Sequence, residues 1–578
     1  MNIVTITLLF FTITIPSTFS QPHNYTNFIT PFETPQQQYY ELTQQLPPNN
    51  IAPSCSINVL NHTFENTTNY VTVDYTPPST TCEWSHAVLE FHAECIGQPI
   101  GHNIAGVWIE GVELLRTSMA NPSDNETIFW NVRKDVTRYF SIITQNNLTL
   151  SVMLENLINE GVNYSVNVSF IFYSKFETSN LNRKLISYKD DRVNYDKLGL
   201  IREHQPADLI IPISTTIDEG CWFRIQDEFD VKMANVEISK RTYKAVLELY
   251  VSFHGDDEFW YMNPPDSYLK AYDLSNKKIK GPYREVLVTI DDKLVGIVTP
   301  YPVIYTNGIN PLLWRPFVAI GAFDLPSYDI EFTPYLGFLL DNKKHSISFQ
   351  VTNGVSYWLV SANLHMWLDH SNVQAFVEYT TPSMEIEDDY DFDGLDGEFE
   401  IEIERRTSTI GWIHSSLGIL RTKVTEEMHF RNKLKFSEKG SRKQLEQKIK
   451  TKTRVKMTNE KDHLVRKTIT EKLYPLNIDI VTGAEIGIGT PMMNTTVVQG
   501  RRESFSDEKA SIKRVMNRNL NCSGSMLVNG DSIVSGSMEN HQNYKYKDDI
   551  NGHGCYSRKV DVVESVVVVD EASLICVH

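Results

Sequence analysis

At 578 residues, the chain is too long for one hydrophobic core and should divide into two to four domains. Its formal net charge of −18 argues against nucleic acid or an anionic membrane surface as a general partner. Aromatic residues are abundant and strand-like patterns outnumber long amphipathic helices, so an all-β chain is expected.

In chain order, residues 1–20 read as a signal peptide. Apolar and β-branched residues dominate Ile3 to Ile15, Pro16 breaks any helix, and Thr18 and Ser20 are small enough to flank a cleavage site. No later apolar run approaches the ~20 residues needed to span a bilayer. A secreted or lumenal protein is expected, in an extracellular, vacuolar or other acidic endomembrane compartment. N-x-Ser/Thr triplets begin at Asn24, Asn61, Asn66, Asn125, Asn147, Asn163, Asn167, Asn494 and Asn521, and mark candidate N-glycosylation sites on exposed segments. The cysteines Cys55, Cys82, Cys95, Cys221, Cys522, Cys555 and Cys576 suit an oxidising compartment. Their pairing is open, and an odd count leaves at least one thiol unpaired or intermolecular. There is no C-x-x-C pair, and no metal or cofactor is expected.

A first β-domain is expected at residues 54–173. Within it Tyr164, Val166, Val168, Phe170 and Phe172 alternate with Ser165, Asn167 and Ser169, which places one strand face in a core and the other in water. Leu148 to Leu154 also reads as a strand. A polar connector at 174–206 leads to a second β-domain at 207–372, where Ala245, Leu247, Leu249, Val251 and Phe253 repeat the alternation and Val286 to Ile290 adds a strand. Residues 383–400 crowd Glu385, Glu387, Asp388, Asp389, Asp391, Asp393, Asp396, Glu398 and Glu400. Like charges at this density predict an exposed acidic linker, read either as a protease-processing site or as a solvated loop without processing. Residues 401–578 form a β-rich C-terminal region. There Lys448, Lys450, Lys452, Arg454 and Lys456 share one strand face, read as solvated or partner-facing.

The chain lacks a G-x-S-x-G elbow, an H-E-x-x-H helix, a P-loop and a dinucleotide fingerprint. Chemistry here would rest on carboxylates. Two stretches stand out. In His254-Gly255-Asp256-Asp257-Glu258-Phe259-Trp260-Tyr261, three acids sit between a His and large aromatics at a strand end. Crowded carboxylates raise one another's pKa. The stretch reads either as a site or as an acidic turn whose aromatics enter the core. In the loop from Ile304 to Pro316, Trp314 adjoins Arg315, and Gly321-Ala322-Phe323-Asp324-Leu325-Pro326 follows. A packed loop with a structural Trp314 is the competing reading.

These segments resemble the glycoamidase A family of plants, the peptide-N4-(N-acetyl-β-glucosaminyl)asparagine amidases. The resemblance runs from about Cys55 to the C-terminal cysteines and weakens after residue 400. Its most specific parts are Gly106-Val107-Trp108 with Gly111 to Arg116, Lys134 to Tyr139, Val251 to Tyr261, and Gly281 through the 307–316 and 321–326 stretches to Ile330. It implies two adjacent jelly-roll-like β-sandwich domains with a site in the groove between them. It also implies hydrolysis of the glycosylated Asn amide of N-glycopeptides or glycoproteins, releasing a glycosylamine and leaving Asp, and processing into a heterodimer of large and small chains. Similarity to the bacterial glycoamidase sets Glu258 and Arg315 opposite functional residues. Trp260, Trp314, Asp256, Asp257 and Asp324 become candidate substrate contacts. The chain departs from the family where an Asp-Arg pair should precede Gly106: His102 and Asn103 stand there. His102 is then a candidate base. The alternative is a catalytically impaired, lectin-like descendant that still binds glycans.

Overall fold

The computed structural model describes residues 36–46, 52–65, 70–97, 103–122, 127–155, 162–174, 205–215, 220–274, 279–416, 418–483, 491–529, 532–548 and 554–574. The expected signal peptide, Asn24, Asn66, His102, Asn125, Cys576 and nearly all of the 174–206 connector lie outside these residues.

The first layered unit has two sheets. One orders its strands Gln36–Tyr39, Thr127–Asp135, His86–Ile96, Asn163–Tyr173 and Cys55–Glu65. The other orders Val71–Tyr75, Leu148–Leu154, Ile104–Ile109 and Val112–Ser118. Alternation drives the packing: Tyr164, Val166, Val168, Phe170 and Phe172 are all buried, and share one core with Val107, Ile109, Leu150 and Val152 of the opposite sheet. Asn167 lies on the outward face, directly across from Asn61. Asn61, Asn147 and Asn521 are exposed, while Asn163, Asn167 and Asn494 are half-buried. A disulfide joins Cys55 to Cys82, and Cys555 is also disulfide-bonded, whereas Cys95, Cys221 and Cys522 are buried free thiols.

The second unit pairs Leu209–Ile213, Trp358–Leu368, Thr242–Phe253 and Ser327–Glu331 in one sheet, with Phe223–Ile225 also on Trp358–Leu368. Its second sheet orders Lys232–Val236, His345–Thr352, Glu285–Ile290 and Lys293–Val298. Ala245, Leu247, Leu249, Val251 and Phe253 enter the core. Their alternates Glu248, Tyr250 and Ser252 are buried too, because they face the first unit. Arg116 and Glu113, paired at 2.7 Å and wholly buried, hang from the first unit. The Arg116 guanidinium donates to Leu359 O at 2.6 Å and to Ser252 and Ser361 hydroxyls at 3.3 Å each. Tyr139 donates to Glu248 at 2.7 Å, and His365 lies 3.1 Å from the same carboxylate. Two β units thus meet through satisfied buried polar groups, the condition under which such groups do not cost stability.

At one hairpin of the second unit, His345 bridges Asp291 (2.6 Å) and Asp341 (2.8 Å). Burial pulls the imidazole pKa down, but the two carboxylates outweigh it and hold it above the ordinary value. A raised histidine pKa adds stability that is full below the unfolded value of about 6.5 and lost as pH rises through the folded one. His345→Gln should therefore lower the thermal midpoint more at about pH 5.5 than at about pH 8.5. Melting curves at the two pH values test this, and equal losses would reject it.

The C-terminal region is one long meander from Gln374–Glu378 to Val566–Ser573, with strands of up to 20 residues. The acidic run is not a linker. Ser383–Asp393 and Asp396–Ser415 form its first hairpin, turning at Gly394. What offsets the like charges is the next strand: Lys433 and Lys435 reach Glu398 at 2.5 and 3.3 Å, Arg431 reaches Glu400 at 2.6 Å, and His429 reaches Glu402 at 2.8 Å. Ser383–Asp393 itself is nearly all exposed, and its charge guards a sheet edge against further pairing. On the cationic strand, Lys452 pairs with Glu471 at 2.5 Å and Arg454 with Glu427 at 2.8 Å. The opposite sheet face buries Phe430, Leu434, Ile449, Leu476 and Val497 in the same core as the second unit.

Candidate active site

Strand Thr242–Phe253 runs into His254 and a tight turn, Gly255–Asp257. Gly255 has φ +60, and a Cβ there would strike the Ser356 hydroxyl, so glycine is required. Asp257 was expected to touch substrate; instead it is 0 % exposed. Its carboxylate accepts from Arg284 Nε (2.9 Å), Val355 N (2.9 Å), Ser356 N (3.0 Å) and Trp358 Nε1 (2.8 Å). These bonds use its lone pairs and make it the clamp of the loop. Asp256 is half-buried beside it.

Glu258 follows, half-buried, with Oε1 closed off from solvent. Burial first, and the neighbouring Glu258 second, push the Tyr261 phenol far above its ordinary pKa. Burial and Glu258 likewise raise Tyr305, against the Phe253 backbone. Glu258 therefore has protonated phenols as neighbours. Trp260 was expected as a sugar platform, but it is 0 % exposed and packs on Phe253 at 6.2 Å and Tyr261 at 5.6 Å. Its apolar ring is worth more in the core than at a wet surface.

The second loop is organised around a 3₁₀ turn, Pro311–Trp314, whose capping Asn310 accepts from Leu312 N at 3.1 Å. Trp314 also departs from the expected platform role. It is wholly buried, and its indole N–H donates to Gly308 O at 2.8 Å. Arg315 is next, half-buried and making no hydrogen bond or ion pair with any described residue. A half-buried guanidinium left without an anion among the described residues is poised for one. The two loops meet at Gly308, where a Cβ would stand 3.3 Å from the Phe259 ring. Asp324 is partly exposed and lies 3.5 Å from Lys134 Nζ.

The first unit closes the site. Thr306 Oγ1 donates to Met119 O at 2.7 Å, and Met119 N donates to Asn103 O at 2.8 Å. Asn103 is thereby tied to the neighbourhood of Tyr305. Glu155 belongs here too, although sequence reasoning missed it. Its N–H donates to Ile104 O at 2.7 Å, its carboxylate pairs with Arg224, and Arg224 lies 4.0 Å over the Tyr357 ring. Tyr357 in turn stacks on His254 at 4.8 Å. Residues 155, 224, 254 and 357 come from four separate segments, so no local motif could have signalled their grouping. Among the described residues no group of three or more His, Cys, Asp or Glu could hold a metal ion.

The architecture is all-β, with a carboxylate and an arginine unpaired among the described residues on neighbouring loops at a junction of two β units. Residues 43–383 match the family model described as peptide N-acetyl-beta-D-glucosaminyl asparaginase amidase A. The chain is 37% identical over 557 residues to the peptide-N4-(N-acetyl-beta-glucosaminyl)asparagine amidase A of Prunus dulcis, covering 94% of each. The chain belongs to this family, and both matches indicate an amide hydrolase. Neither favours the impaired, glycan-binding alternative. Among solved structures, PNGF-II aligns over 55% of this chain and 66% of its own, with 13% identity and a TM-score of 0.34. A peptide-N(4)-(N-acetyl-beta-D-glucosaminyl) asparagine amidase aligns over 55% of this chain and 98% of its own, at 12% identity and a TM-score of 0.31.

Proposed function

We propose that this chain hydrolyses the side-chain amide joining Asn to N-acetylglucosamine in N-glycopeptides. Water adds to the amide carbonyl carbon, the C–N bond breaks, the glycan leaves as a glycosylamine, and Asp remains. The observation that carries this reading is Arg315, half-buried and unpaired among the described residues, two loops meeting beside it. A half-buried cation with no partner to displace can stabilise the oxyanion of an adding nucleophile. Glu258, shielded among hydroxyls, is the carboxylate that orients and deprotonates the water. His102 is the second candidate base, next in the chain to the buried Asn103. The exposed sequons Asn61, Asn147 and Asn521 support a secretory route and a lumenal or extracellular site of action.

Incubation of a small N-glycopeptide with the purified chain in oxygen-18 water, followed by mass spectrometry, tests the reading. Asn should become singly labelled Asp with the glycan released intact. Release of glycan without labelled Asp, or no release at any pH from acidic to neutral, would overturn it.

A further inference from the structure

Asn540 lies on strand Ser532–Asp548 of the long sheet and is 1 % exposed. Its Nδ2 donates to Leu313 O at 2.9 Å and to Phe317 O at 3.1 Å. Those carbonyls stand two residues before and two residues after Arg315. One side-chain amide therefore pins both ends of the segment that carries the guanidinium.

The rest of that strand face follows the same loop. Gln542 donates to Val318 O at 2.9 Å. Gly536 and, on the neighbouring strand, Gly524 leave a notch for Leu312 and Leu313: a Cβ at Gly524 would meet Leu313 Cδ2 at 3.0 Å, and one at Gly536 would collide with Leu312 Cδ1. The two-residue repeat of a strand is what places Gly536, Asn540 and Gln542 on one face. The Glu258 loop is held in the same manner, by Asn432 donating to Tyr261 O at 2.9 Å. All of these residues lie beyond residue 383, where the family match ends. Apolar contacts would suffice to glue a loop to a sheet. A buried amide committed to two carbonyls fixes the direction of the backbone between them as well.

We infer that Asn540 is a positioning residue for Arg315, and that the C-terminal sheet completes the site through it. The inference rests on the amide hydrolysis proposed above. A catalytic group displaced by about 1 Å can lose on the order of 100-fold in rate. Because Arg315 would act on charge that develops only in the transition state, the loss falls on kcat rather than KM.

The test is a double-mutant cycle on the full-length secreted chain with a small N-glycopeptide, comparing Arg315→Ala, Asn540→Ala and the double variant. Asn540→Ala should lose roughly 10- to 100-fold in kcat with KM little changed. In the Arg315→Ala background the same change should cost no more than about twofold. Independent, multiplying losses would overturn the inference, since a merely structural residue weakens both backgrounds alike. Wild-type turnover by Arg315→Ala alone would instead sink the role given to Arg315. Should Asn540→Ala fail to accumulate, Asn540→Ser keeps one donor, and its kcat should fall short of wild type by a smaller factor that again vanishes without Arg315.

Discussion

Glu258→Gln should lower kcat by about 10²- to 10⁴-fold while leaving KM within a few-fold. Gln matches Glu in shape and still hydrogen-bonds, but it cannot take a proton from water. The loop itself should survive, because its clamp is Asp257 and not Glu258. The thermal midpoint should accordingly move little, and the kinetic effect would be chemical rather than structural. Oxygen-18 incorporation into Asp measures the change directly. Unaltered turnover would remove Glu258 from the chemistry and shift the burden to His102 or to Glu155, the carboxylate held by Arg224 near the start of strand Ile104–Ile109.

The strands that pack one sheet on another were legible because burial on one face forces a two-residue repeat. Tyr164 to Phe172 and Ala245 to Phe253 show it openly. The same repeat misleads where both faces are covered. Glu248, Tyr250 and Ser252 read as a wet face, yet they form the junction with the first unit, since polar residues match other polar residues as well as they match water. The acidic run failed for a related reason. Its repulsion was counted within the segment, while the cations that offset it, Arg431, Lys433 and Lys435, stand some thirty to fifty positions away in the chain and next door in the sheet. At the candidate site, the residue types in the two loops were readable and their orientations were not. Which of three consecutive acids turns inward is decided by a glycine's left-handed φ at 255 and by donors at 284, 355, 356 and 358, none of them local. The tryptophans went the same way: a Trp beside an acid or an arginine looks like a sugar platform, but with about 200 Å² of side chain to hide it is drawn to the core first.

Asp257 gives the second large effect, and its sign separates clamp from contact. Arg284 is 0 % exposed and lies 2.9 Å from Asp257, itself 0 % exposed. Burial pulls the guanidinium pKa down and Asp257 opposes that. Removing one partner of a fully buried pair leaves the other charge uncompensated, at a cost of about 3–5 kcal/mol. Asp257→Ala also strips acceptors from Val355 N, Ser356 N and the Trp358 indole, each otherwise satisfied. Such a loss is a large share of the stability of a typical domain, so a sharp fall in soluble yield and in thermal midpoint is expected. Asp257→Asn keeps the shape and one acceptor, and should fall between that variant and the wild type. If Asp257 instead bound substrate, Asp257→Asn would raise KM and leave the melting curve where it was. A folded variant with a lowered midpoint and a fall in kcat would mean that the carboxylate serves by fixing the turn from which Glu258 projects.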